Sequence, residues 1–121
     1  MKIPGPDHPI AITPNPRRVR VIIGDKVIAN STSALALKEA SYPVVNYVPR
    51  EDVDMTRLTR TAHTTHCPYK GDASYYSIEI DGKTIENAVW SYETPFPAMN
   101  AIKEYLAFYP NKVDCIEELS A

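Results

Sequence analysis

The chain carries little that could brace it covalently. Only Cys67 and Cys115 are present, with no Cys-x-x-Cys spacing, which excludes both a disulfide framework and the paired-knuckle zinc site of some small β folds. Two free thiols in a reducing compartment are the expectation. Apolar runs last only a few residues, too short to span a membrane as a helix. Met1-Lys2-Ile3-Pro4-Gly5-Pro6 also lacks the apolar core of a signal peptide, so a cytoplasmic location is expected, with no membrane partner. An excess of one charge sign is missing too. With 13 basic and 15 acidic side chains the formal net charge is −2, so no nucleic-acid partner is expected. Glycine is scarce, at four residues against eleven prolines, a balance that favours short elements joined by stiff turns over long helices.

What is present fits one compact domain of 121 residues, 44% hydrophobic and 23% charged. Prolines at 4, 6, 9, 14 and 16 predict an extended, proline-rich arm over residues 1–16, with a single globular domain over 17–121. Arg17 to Ile23 alternates, Gly24-Asp25-Lys26 turns the chain, and Val27 to Asn30 returns, which predicts a hairpin. Ala34 to Ala40 reads as a short helix capped by Ser31 or Ser33 and stopped at Pro43. Val44 to Val48 reads as a strand, and Arg50 to Met55 as a turn or a single helical turn. Ala73 to Ile80, Asp81-Gly82 and Thr84 to Tyr92 form the strongest hairpin signal in the chain. Ala98, Ile102, Tyr105, Leu106 and Tyr109 fall at helical spacing, so 97–109 is expected to be a C-terminal amphipathic helix. A last strand follows over Val113 to Ile116. The fold class expected is α+β and β-dominated, with curved antiparallel sheets or an open barrel crossed by that helix.

The densest chemistry lies between His63 and Lys70, where two imidazoles, a thiol, a phenol and an ammonium share eight residues. Cys67 has His63, His66 and Lys70 within four positions, and cationic neighbours favour the nucleophilic thiolate. Packing as a small buried hydrophobe is the competing use of the same residue. His63 as a general base oriented by Glu51 is a second catalytic arrangement. His63-x-x-His66 beside Cys67 offers zinc-type ligands, but the other donors, His8 and Cys115, sit in distant segments, so no metal is expected and no cofactor is implied. Lys70-Gly71 lacks the glycines of a phosphate loop. Lys70 can still bind an anion as a point charge, with Arg50 as a forked donor. Trp90, with Tyr69, Tyr75, Tyr76 and Tyr92, belongs either to the core or to an aromatic pocket. Strand alternation places Asn87 on the face opposite Trp90.

Tyr47-Val48-Pro49-Arg50-Glu51-Asp52-Val53, His63-Thr64-Thr65-x-Cys67-Pro68-Tyr69-Lys70-Gly71-x-Ala73, Asn87-Ala88-Val89-Trp90-x-Tyr92 and Leu106-x-Phe108-Tyr109 occur in that order. Together they resemble the family known as domain of unknown function 427, over roughly Arg17 to Asp114. That family carries an automatic label of nucleotidyltransferase-like domain. The paired carboxylates and glycine-rich loop of such enzymes are matched here by no more than Glu51, Asp52 and Asp54. The resemblance implies a compact, mostly antiparallel β domain whose motif residues face a shared cleft. The expected function is binding of a small polar or anionic ligand by Arg50, His63, Lys70, Asn87, Trp90 and Tyr92. An enzyme using Cys67 or His63, and a protein-interaction module, are the alternatives. The sequence leaves open whether copies of the chain form a homo-oligomer.

Overall fold

Short alternating segments punctuated by prolines and turn residues build a fold almost entirely of strands. The computed structural model describes residues 1–120, with ten strands: β1 (Ile10–Pro14), β2 (Arg18–Ile23), β3 (Lys26–Ser31), β4 (Leu35–Glu39), β5 (Val45–Tyr47), β6 (Leu58–Cys67), β7 (Gly71–Ile80), β8 (Lys83–Ser91), β9 (Ala107–Phe108) and β10 (Cys115–Leu119). They form three antiparallel sheets in the orders β1-β4-β5, β10-β2-β3 and β6-β7-β8-β9, none closed into a barrel. Helical turns of the 3-10 type cover Arg50–Asp52, Met55–Arg57 and, as two turns kinked at Met99, Pro97–Ile102. No helix among the described residues is long and apolar enough to cross a membrane.

The two expected hairpins form as read. Asp81 and Gly82 take φ of 50° and 75°, the left-handed pair that a two-residue turn between twisted strands requires. Two apolar clusters hold the sheets together. One gathers Val19, Val21, Ile28, Ile78 and Val89 between the β10-β2-β3 sheet and the larger sheet. The other gathers Leu37, Tyr47, Tyr75, Tyr92, Met99 and Ile102 between β4-β5 and the larger sheet. Full burial of each such aliphatic side chain contributes about 1.5–3 kcal/mol.

Three expectations are corrected. Residues 10–14 are not part of an arm: β1 pairs with β4 in register from Ile10↔Glu39 to Pro14↔Leu35. An edge strand tolerates prolines because its outer donors face solvent. The Ala34 to Ala40 segment is strand β4, not a helix. It lies between β1 and β5, so ladder bonds on both sides outweigh the helical preference of alanine and leucine. The 97–109 helix is absent. After Ile102 the chain turns through Glu104 at φ 64° and returns as β9, which pairs with β8 at Val89↔Phe108 and Trp90↔Ala107. Val48 and Leu106 exchange two backbone hydrogen bonds of 2.8 Å, an isolated bridge that joins the β5 end to the segment leading into β9.

Candidate functional site

Side chains two apart on a strand share a face, so Leu37 with Glu39, Ala73 with Tyr75, and Trp90 with Tyr92 are presented in pairs toward the space between β4-β5 and the larger sheet. That space is a cleft of about 600 Å3, lined by Glu39, Tyr47, Cys67, Lys70, Tyr75, Trp90, Tyr92 and Tyr109 among others, with the β4–β5 turn Tyr42-Pro43-Val44 at its lip.

One end of the cleft is ionic. The β6–β7 turn ends at Gly71, whose φ of +110° and missing side chain let the Pro95–Phe96 backbone pack close; a Cβ would stand 3.4 Å from Phe96 N. Phe96 N donates to Lys70 O at 3.0 Å, which fixes the Lys70 backbone. The Lys70 side chain turns inward and is 9% exposed. The Lys70 ammonium donates to Glu39 Oε1 and lies 5.8 Å from the centre of the Tyr92 ring. Glu39 Oε2 meets His8 Nε2 at 2.7 Å, and the His8 ring stacks on Tyr69 at 4.1 Å. Burial alone would raise the Glu39 pKa; the hydrogen bonds and charges of Lys70 and His8 outweigh it and hold the carboxyl below its usual range. Lys2 N donates to Pro68 O at 2.7 Å, so residues 1–9 form a strap that backs the ion pair.

The rest of the cleft is aromatic. Trp90 Nε1 donates to Tyr47 OH at 3.2 Å, and the Trp90 and Tyr109 rings lie 4.5 Å apart. Tyr75 OH shares hydrogen bonds with Tyr109 OH at 3.1 Å and Thr65 Oγ1 at 3.0 Å. Burial pushes the Tyr109 phenol up to about 12, and moves Tyr47 and Tyr92 well above the phenol range. These hydroxyls therefore act as neutral donors and acceptors near neutral pH.

Lys70, Trp90 and Tyr92 thus share one cleft, and Cys67 joins them half-buried. The remaining expected ligand residues, Arg50, His63 and Asn87, do not line this cleft. Arg50 is held by Glu93, whose carboxylate also binds Arg60 at 3.1 Å and accepts from Tyr76 OH at 2.5 Å; this acidic partner holds the guanidinium outside the cleft. His63 and Asn87 line a separate shallow groove on β6, β7 and β8. His63 is exposed there and packs against Tyr75 at 4.5 Å. Asn87 takes φ 49° beside a register shift between β7 and β8. The bulge breaks strict alternation, so Ala88 and Val89 both enter one core cluster. Glu51 is exposed, and among the described residues no hydrogen bond joins His63 to Glu51 or Cys67.

The profile of a family described as Domain of unknown function (DUF427) matches residues 11–119. The chain belongs to the DUF427 family. No curated protein matches it. In this DUF427 chain the acidic residues nearest a nucleotidyltransferase pattern serve local structure: Asp52 accepts from Ser31 Oγ at 2.6 Å, and Asp54 accepts from Thr56 N at 3.2 Å. Glu39 escaped the sequence reading, because a lone acid at a strand end carries no local signal, and His8 entered it only as a distant zinc-type donor. Tyr47 and Tyr109 were in view as motif members, without an assigned place.

Proposed function

We propose that the DUF427 cleft binds a small molecule with a flat apolar ring and one polar or anionic group. The observation that carries this reading is the buried Lys70 ammonium at the end of an aromatic cleft. An ammonium has three donors, and with one directed to Glu39 the others are available to a ligand oxygen. The ring would lie against Trp90 and the cleft tyrosines, where aromatic contacts add to area burial. Pairing with Glu39 keeps Lys70 from acting as a bare cation, so recognition rests on hydrogen bonding as much as on charge.

Benzoate is the simplest probe of this chemistry. Trp90 is the only tryptophan, so its fluorescence should change saturably on benzoate titration. On a Cys115→Ser background, saturating benzoate should also slow iodoacetamide labelling of Cys67. An unchanged emission together with unchanged labelling across a panel of aromatic acids would refute the reading. The enzyme alternative through Cys67 has one supporting observation, the position of its sulfur in the same cleft. Rapid labelling well below the unperturbed thiol pKa of about 8.5 would move that alternative ahead.

A further inference from the structure

Beside the aromatic cleft lies a second cavity of about 290 Å3, and the two share Val44, Val45, Trp90 and Pro110 in their walls. Its far side is set by Val21, Phe108 and Ile116. Protein interiors are normally filled to crystal-like density, with few voids larger than a water molecule. A dry apolar cavity of about 150 Å3 already accepts benzene. At the rim, Asn15 Nδ2 donates to Asn46 Oδ1 at 2.9 Å and to Glu118 Oε1 at 2.8 Å, which ties the two polar lining residues together. At the cleft mouth Tyr42 is 61% exposed, and Val44, which also lines the second cavity, is 54% exposed. Isolated exposed apolar residues are ordinary; here they stand together at the mouth of a pocket.

Resting on the cleft reading above, we infer that the ligand is an amphiphile. Its polar, ring-bearing head occupies the aromatic cleft, and a short unbranched hydrocarbon tail crosses the Val44–Trp90 wall into the second cavity. The occupant follows from the shape. The cavity is too small for a folded peptide segment, it borders the cleft across Val44, Val45, Trp90 and Pro110, and its lining is apolar apart from Asn46 and Glu118. The polar end is fixed by Lys70 and Glu39, so the tail must run from the Lys70 end past Trp90 toward Ile116.

A 4-alkylbenzoate series from methyl to octyl tests this by calorimetry, with methyl NMR of Ile116 and Val21 as a position readout. Each added methylene should tighten binding about fourfold until the cavity is filled, after which the gain stops. The Ile116 methyl should move saturably at one equivalent only with the longer chains. Ile116→Phe, which fills the cavity, should keep benzoate affinity and lose the chain-length gain. If that variant does not fold, the wild-type series and its methyl shifts still decide. Benzoate binding with no chain-length gain and an unmoved Ile116 would overturn the tail while leaving the cleft reading intact. Failure of every member, benzoate included, would overturn both.

Discussion

Lys70 and Glu39, separated by 31 positions in the chain, form a largely buried ion pair that joins the β6–β7 turn to the end of β4. Removing one partner leaves the other charge desolvated without compensation. Glu39→Gln and Lys70→Met should each destabilise the fold by on the order of 3 kcal/mol in urea unfolding. The double variant Glu39→Gln/Lys70→Met should lose less than the sum of the single losses, because no unpaired charge remains. Additive losses would show that the two groups do not interact in the folded protein.

Gly71 sets the position of Lys70 through backbone alone. Gly71→Ala must place a Cβ at φ +110° and 3.4 Å from Phe96 N, which should cost about 1–3 kcal/mol. The corresponding change at Gly82, where nothing lies within 4 Å of the added Cβ, carries the φ penalty without the crowding. Gly71→Ala should therefore lower the denaturant midpoint more than Gly82→Ala, and equal losses would remove the packing argument.

Stability should fall in acid through Glu39 and Glu93. Burial alone would raise the Glu93 pKa, but the hydrogen bond from Tyr76 and the charges of Arg60 and Arg50 hold it below the usual value. A carboxyl with a depressed folded pKa contributes fully above its unfolded value, about 4.3, and loses that contribution as the pH falls through the folded value. Glu93→Gln should cost about 1.5 kcal/mol at pH 7, the low end for bonds to charged groups because Arg60 is well exposed. It should also flatten the acid limb of the stability profile measured by urea unfolding between pH 6 and 3.

At the alkaline end the tyrosines should give the opposite sign. Tyr47, Tyr92 and Tyr109 have pKa values raised by burial, with Tyr109 at about 12. Their contribution is complete below the unfolded phenol pKa of about 10 and disappears as pH rises beyond it. Ultraviolet titration should show part of the eight tyrosines ionising near pH 10 and the rest only as the protein unfolds. A single transition at pH 10 with the fold intact would contradict their burial.

The hairpins were legible because their turns state their own geometry, as Asp81-Gly82 does through its paired positive φ angles. The Ala34 to Ala40 strand was not, since its conformation is decided by partners on both sides, β1 and β5, that no local window contains. The helical spacing over 97–109 was real but misleading. Met99, Ile102, Leu106, Ala107 and Phe108 are buried by a turn and a strand rather than by one helix face. Of the residues that line the cleft, Lys70 and Cys67 stood out in the dense 63–70 stretch, and Trp90 and Tyr92 among the aromatics read as core or pocket. Arg50 and His63 looked equivalent in sequence, and the difference lies in neighbours remote along the chain: Glu93 beside Arg50, Tyr75 beside His63.

The Val48–Leu106 bridge gives the cleft a mechanical character. Its opposing walls belong to sheets whose ladders are separate, and this isolated bridge is a backbone link between the β5 end and the segment entering β9. Widening the cleft therefore strains side-chain packing and the His8–Glu39–Lys70 contacts, while every strand ladder stays whole. The Val48–Leu106 bridge thus closes one end of the cleft through backbone, and the N-terminal strap with the Lys70–Glu39 pair closes the other.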